Sequence, residues 1–303
     1  MTTRSLALPA PSGLLTDAVV AAVINLSCYK FSRLDRLEDR KAVLAEACRA
    51  RGLKGTILLA PEGINFFLSG PRESLDSVLG VIRAIPGLDD VAPKESPGAA
   101  QPFKRMLVKI KKEIVSFGVP GVDPSLRPAP KVSPRQLKQW LDEGRPLTLL
   151  DTRNHYEVRM GTFRGAHDPQ IWNFRDFPAA VRDLPAELKD RPVVMFCTGG
   201  IRCEKAGPFM QMEGFTDILQ LDGGILKYFE EVGADHFEGE CFVFDERVGL
   251  DASLRPTGSV LCYNCQMPLT TSDQGDPRYV FEKSCPHCFD GKPKGRGNTK
   301  SLA

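Results

Sequence analysis

The 303-residue chain reads as α/β: a parallel-sheet domain, preceded by a smaller α+β domain and followed by a Cys-rich module. Three observations predict this. Short apolar runs alternate with helical patterns between residues 133 and 235, as a parallel sheet with helices on both faces requires. Before residue 120 the order is strand, helix, two strands joined by a tight turn, helix, strand. Near the end stand two Cys-x-x-Cys pairs, Cys262/Cys265 and Cys285/Cys288, nineteen residues apart.

Composition excludes several classes. Hydrophobic residues are 42% and charged residues 26%, ordinary for a globular protein. The net charge of +2 creates no global field toward nucleic acid or membrane, so any basic site must be local. Ala18 to Leu26 is too short to span a bilayer, which needs roughly 20 apolar residues. Pro9, Pro11 and Asp17 spoil a signal-peptide pattern. The expectation is a cytoplasmic protein that spans no membrane. Nine cysteines in that compartment suggest metal binding or catalysis rather than disulfides.

Residues 1–16 form a lead expected to be flexible. The first domain is placed at 17–120. Its strands are expected at Val19–Leu26, Gly55–Leu59, Ile64–Leu68 and Phe103–Phe117, with a hairpin turn at Ala60-Pro61-Glu62-Gly63. Its helices are expected at Arg36–Arg51 and around Leu75, Val78, Leu79 and Ile82. This order is that of a ferredoxin-like fold. Within the last strand Lys104, Arg105, Lys109, Lys111 and Lys112 fall in nine residues without an acid. They fit a solvated edge strand or a face that contacts a nucleic-acid backbone equally well. Phe66, Phe67, Phe103 and Phe117 can stack bases, although strand aromatics are more often core.

Residues 121–132 carry Gly121, Pro124, Pro128 and Pro130 and read as a linker. The second domain is placed at 133–235. Ser133-Pro134-x-Gln136 opens a helix as N-cap, first-position proline and capping box. Leu147–Leu150 is a buried strand ending at Asp151. Val193–Phe196 is another, running into Cys197-Thr198-Gly199-Gly200-Ile201-Arg202-Cys203. This places a cysteine between a strand end and a helix start, among N–H groups that have no helical partner. Those donors and the helix dipole favour a thiolate. The glycines turn N–H groups inward, and Arg202 is expected to offer charge to a bound anion. A helix follows over 203–213, kinked at Pro208, then a strand at Ile218–Leu221 and a helix at Ile225–Glu231 after Asp222-Gly223-Gly224. Active groups belong at the carboxyl ends of such strands, where Asp151 and Cys197 both lie. A buried structural cysteine is the competing reading.

Residues 236–303 form the Cys-rich module and a basic tail. Glu240–Val248 is a strand candidate. The four cysteines at this spacing predict one tetrahedral, structural zinc, with His287 outside its shell.

Asp151-Thr152-Arg153, Glu157, Gly161-Thr162-Phe163-x-Gly165-Ala166, the six-residue loop from Cys197 to Arg202, and Asp222-Gly223-Gly224 together resemble a rhodanese domain. The related dual-specificity phosphatases carry a loop one residue longer. With Ala60-Pro61-Glu62-Gly63-Ile64-Asn65, Cys241-Phe242-Val243-Phe244-Asp245 and the Cys pairs, nearly the whole chain resembles one family, the rhodanese-domain tRNA uridine hydroxylases. The resemblance implies an acylphosphatase-like first domain, a rhodanese core and a zinc-ribbon-like end. It implies oxygen-dependent conversion of the wobble uridine to 5-hydroxyuridine, with molecular oxygen as co-substrate and the tRNA anticodon region as partner. Cys197 matches the family's persulfide cysteine and Arg202 its loop partner, with Asp151 and Arg153 in support. The residues name no oxygen-activating group. There is no dinucleotide glycine fingerprint, and His155, His167, His236 and His287 make no evident iron site. A sulfurtransferase passing sulfane sulfur through a Cys197 persulfide is the alternative reading. The sequence sets no oligomeric state.

Overall fold

The computed structural model describes residues 23–98 and 101–290, so the lead and the basic tail lie outside the described residues. The first domain runs β1 (Val23–Phe31), α1 (Leu37–Ala50), β2 (Lys54–Ala60), β3 (Gly63–Gly70), α2 (Arg72–Arg83), β4 (Lys94–Gly98) and β5 (Met106–Ile110). Its sheet has the order β4-β1-β3-β2-β5. The four antiparallel strands are the ferredoxin-like set, and β5 adds a fifth, parallel to β2.

Three expectations are corrected here. The closing strand of the ferredoxin-like pattern is β4, not Phe103–Phe117. Its sequence, Lys94-Glu95-Ser96-Pro97-Gly98, has no apolar alternation, because it is an edge strand and Pro97 is tolerated there. The expected long strand is cut to Met106–Ile110; residues 111–117 leave the sheet. β1 also extends to Phe31, beyond the expected Leu26.

The helices cover one face only. Leu75, Val78, Leu79 and Ile82 of α2 fall on one stripe and are all buried, as are Leu44 and Cys48 of α1. Each fully buried side chain of this kind contributes about 1.5–3 kcal/mol. Their partners are alternate strand residues, Leu26, Cys28, Ile57, Leu59, Ile64, Phe66 and Leu68.

The second domain runs β6 (Lys131–Val132), α3 (Pro134–Asp142), β7 (Thr148–Asp151), α4 (His155–Val158), β8 (Gly161–Phe163), α5 (Phe177–Arg182), β9 (Val193–Phe196), α6 (Ile201–Met212), β10 (Ile218–Leu221) and α7 (Gly224–Glu231). β6, β10, β9 and β7 form a parallel sheet in that order. Strand β9 is central and buried throughout. Val193 and Met195 enter one core with Cys203, Phe209 and Met210, while Val194 and Phe196 enter the other with Leu221, Ile225 and Tyr228. This is why its sequence is a continuous apolar run. Ser133 caps α3 by accepting from the Gln136 N–H at 3.2 Å, but Gln136 turns to Gln139, so only half of the expected capping box forms. α6 begins two residues earlier than expected and runs through Pro208 to Met212.

The first domain is tied to the second by Phe117. Its ring lies 4.9 Å from Phe174 and 5.5 Å from Phe209, inside the second domain's core.

The chain ends in small pieces: β11 (Phe237–Gly239), which pairs with β8, the hairpin β12 (Cys241–Phe242) and β13 (Gly249–Leu250), β14 (Val260–Leu261), β15 (Pro268–Leu269) and α8 (Thr271–Gln274). The single strand expected at Glu240–Val248 is instead this hairpin, which turns where Asp245 accepts the Arg247 N–H. Tyr156 and Met160 of the second domain share a core with Phe242, Val248, Met267, Leu269 and the four cysteines. Among the described residues no helix is long and apolar enough to cross a membrane.

Candidate active site and metal centre

Cys197 follows β9 directly, and α6 starts at Ile201. Gly200 between them has φ 104°, a conformation that side chains disfavour, and there its N–H donates to Cys197 Sγ at 3.0 Å. The loop carbonyls turn the other way. Ile225 and Leu226 at the start of α7 donate to Cys197 O and Thr198 O at 3.0 and 3.1 Å. That approach needs Gly224, where a Cβ would stand 2.4 Å from Cys197 O. Two helix N-termini thus pin the loop, one by its N–H groups at the sulfur and one at the carbonyls.

Cys197 is fully buried. Burial by itself pushes its thiol up. A hydrogen bond from the Cys203 thiol, the Arg202 charge and the N–H groups of Arg202 and Gly200 outweigh it and hold the pKa below the ordinary cysteine range. Cys203 moves the opposite way, raised by burial and by its bond to Cys197, so Cys203 carries the proton and Cys197 the charge. Thr152 Oγ1 lies 3.5 Å from Cys203 Sγ. Of the loop, Thr198, Gly199 and Ile201 are half-exposed and mark the side from which a reactant can approach.

Arg202 departs from its expected place. Both its terminal nitrogens donate to the fully buried Glu157, at 2.6 and 2.8 Å, so a countercharge is supplied from within the protein. Burying a guanidinium without a carboxylate is costly, and Glu157 answers that need. Asp151 and Arg153 pair with each other at zero exposure and with the β8 residues Thr162 and Gly161. They brace the ends of β7 and β8, while their neighbour Thr152 is the residue that reaches the cysteines.

The first domain supplies groups that sequence reasoning missed. Tyr29 on β1 places its hydroxyl 3.4 Å from Glu204 Oε1, against Gly200. Lys94 on β4 donates to Gly223 O beside the loop. Lys205 on α6 is almost fully buried between Glu62 and Glu113, at 2.8 and 2.7 Å. These contacts join residues distant in sequence, and no local pattern announces them.

Of the basic run, Lys109 lies on β5, half-buried, while Lys104, Arg105, Lys111 and Lys112 are exposed in the segments on either side. They form a basic edge and not one strand.

Cys262, Cys265, Cys285 and Cys288 converge, with all four Sγ atoms within 4.8 Å of one another. The closest pairs stand 3.6, 3.7 and 3.9 Å apart. A tetrahedron with Zn–S bonds of 2.3 Å has edges of about 3.8 Å, so the cluster fits zinc. His287 turns to Arg159 instead.

Residues 23–114 match the family described as UPF0176 acylphosphatase like domain, and residues 133–231 match the rhodanese-like domain. A protein of Cupriavidus taiwanensis named tRNA uridine(34) hydroxylase is 52% identical over 277 residues, covering 90% of this chain and 98% of that protein. Proteins of the same name from Ralstonia nicotianae and Burkholderia mallei are 50% and 47% identical, each over 88% of this chain and covering 97% and 93% of their own lengths.

Proposed function

Because the chain belongs to the tRNA uridine(34) hydroxylase family, we propose that it hydroxylates the wobble uridine at carbon 5, with molecular oxygen as co-substrate and Cys197 as the reacting sulfur. The enzyme is an oxidoreductase of tRNA modification built on a rhodanese domain. Its place of work is the cytoplasm, where tRNA is its partner. The observation that carries the role of Cys197 is its sulfur, held as a thiolate by Gly200 N–H at 3.0 Å and by the Cys203 thiol at the end of β9. Such a sulfur is a strong nucleophile and holds a persulfide readily.

The remaining residues have supporting roles. Arg202, locked by Glu157, lowers the Cys197 pKa and fixes the first turn of α6. Thr198, Gly199 and Ile201 border the approach. Asp151 and Arg153 hold the neighbouring strand end. Cys262, Cys265, Cys285 and Cys288 hold one structural zinc, a closed site that supplies folding energy. The basic edge Lys104, Arg105, Lys109, Lys111 and Lys112 meets the tRNA backbone, giving affinity without base choice. An anticodon base is unpaired and is splayed out cheaply.

Nucleoside mass spectrometry of tRNA from cells lacking the gene, complemented with wild type or Cys197→Ser, tests the reading. Wild type restores hydroxylated uridine and Cys197→Ser does not. Loss of a thiolated base, with hydroxylation intact, sinks it. The basic edge is tested by changing Lys109, Lys111 and Lys112 together to Glu. Binding should weaken for all tRNAs alike and lose much of its salt dependence; unchanged affinity returns these residues to a solvated edge.

A further inference from the structure

The first domain's sheet has two faces, and its helices cover one. Ile64, Phe66 and Leu68 point into the helix-covered core, so Asn65 and Phe67 point away from it. Directly paired residues share a face, so the register defines the other side. One row runs Lys94, Ser27, Phe67, Thr56 across β4, β1, β3 and β2. The next runs Tyr29, Asn65, Leu58, Lys109 across β1, β3, β2 and β5. Neither row holds an acid. Asn65 is roofed by the chain after β5, since its Nδ2 donates to Ile114 O at 3.3 Å. Phe67, Ser27 and Thr56 stay half-exposed.

Four phenylalanines of this region are candidate stacking groups, and the structure separates them. Phe66 and Phe117 are buried in two different cores. Phe103 lies outside the strands. Phe67 alone stands on the helix-free face, on a central strand, diagonal to Tyr29. The same face ends at the reactive loop, through Tyr29 against Gly200 and Lys94 on Gly223 O.

We propose that this sheet face is the platform on which the single-stranded anticodon loop lies, with Phe67 stacking a base next to the target uridine. The proposal rests on the tRNA reading above and adds where the unpaired bases go. Two features select this occupant. An aromatic ring half-exposed on the helix-free face offers an unpaired base a π-surface, which duplex RNA cannot use. Lys109 closes the second row at β5, and Lys111 and Lys112 stand exposed just beyond it, giving the charge that a phosphate chain requires. Phe67, Tyr29 and Lys94 share one side of the sheet, and Tyr29 and Lys94 touch the loop region, so a base stacked on Phe67 would lie on the side that meets the Cys197 loop.

The test uses the full-length enzyme and an anticodon stem–loop RNA containing the target uridine. Affinity is measured for wild type, Phe67→Leu and Phe67→Trp. Leucine keeps the apolar bulk and removes the ring face, so binding should weaken about tenfold, with little change in Tm. Tryptophan should bind at least as tightly as wild type. With 5-iodouridine placed beside the target, photo-cross-links should map to residues 63–70. Affinity of Phe67→Leu within twofold of wild type overturns the platform, as do cross-links confined to the Cys-rich module. A wild-type enzyme that neither binds nor hydroxylates the RNA overturns the tRNA reading and the platform with it. A wild type that does both, alongside an unaffected leucine variant, overturns the platform alone.

Discussion

Cys197 and Cys203 share one proton between two buried sulfurs, and the loop decides which one keeps it. Alkylation requires a thiolate. With the Cys197 pKa lowered, its reaction should be near plateau at neutral pH and fall only as acid protonates it below that range. Cys203→Ser weakens a donor that helps hold the pKa down, so the inflection should move up in pH. A profile unchanged by the substitution would show that Arg202 and the N–H groups suffice. Glu157 matters in a different way. Glu157→Gln leaves the Arg202 guanidinium buried without its countercharge, a loss of about 3 kcal/mol. Urea unfolding of the variant against wild type measures it, and a loss under about 1 kcal/mol would mean that the pair behaves like a surface one.

At the scale of elements, the join of β9, loop and α6 was legible because each step has its own signal. An apolar run marks a strand buried on both faces, a cysteine its end and two glycines the turn. α2 was legible from one apolar stripe. The failures have equally physical causes. β4 is polar because it is an edge. The strand expected at Phe103–Phe117 was overextended because Val115 and Phe117 are apolar for a different core. The partner of Arg202, and Tyr29 over Gly200, depend on chain crossings that no local pattern encodes. The start of α7 carries a sharp element-level prediction. Gly224→Ala puts a methyl group into Cys197 O at a φ of 66°, so the two helix N-termini can no longer hold the loop together. Stability should fall by more than about 1 kcal/mol, and hydroxylation should fall with it. An alanine variant with normal activity would refute the tight approach.

For the whole molecule, the active loop sits at a three-way junction. The first domain touches it through Tyr29 and Lys94, and the Cys-rich module through Phe242, whose carbonyl accepts from Thr198 Oγ1 at 3.3 Å. The module shares its core with Tyr156 and Met160, so a metal held by its four cysteines would steady more than the module itself. Purified protein should contain one zinc per chain. Cys265→Ser should release it and make the chain beyond Leu250 sensitive to protease, while the parallel-sheet domain keeps its own unfolding transition. Zinc content near zero in a protease-resistant wild type would rule the site out.

Phe117 has a consequence for how the protein is made. It leaves the ribosome with the first domain, yet its seat between Phe174, Phe177 and Phe209 is synthesised later. At translation rates of about 5–20 residues per second, the ring waits for several seconds before the residues that seat it are made. The dependence also runs the other way. A fragment begun at Gly118 contains the entire parallel sheet, β6 included, but lacks the ring that fills its core. It should be less stable than one begun at Lys111, by about 3–5 kcal/mol, and thermal unfolding of the two fragments reads the difference directly. Equal stability would mean that the core closes without Phe117, and that the two domains could be born independently.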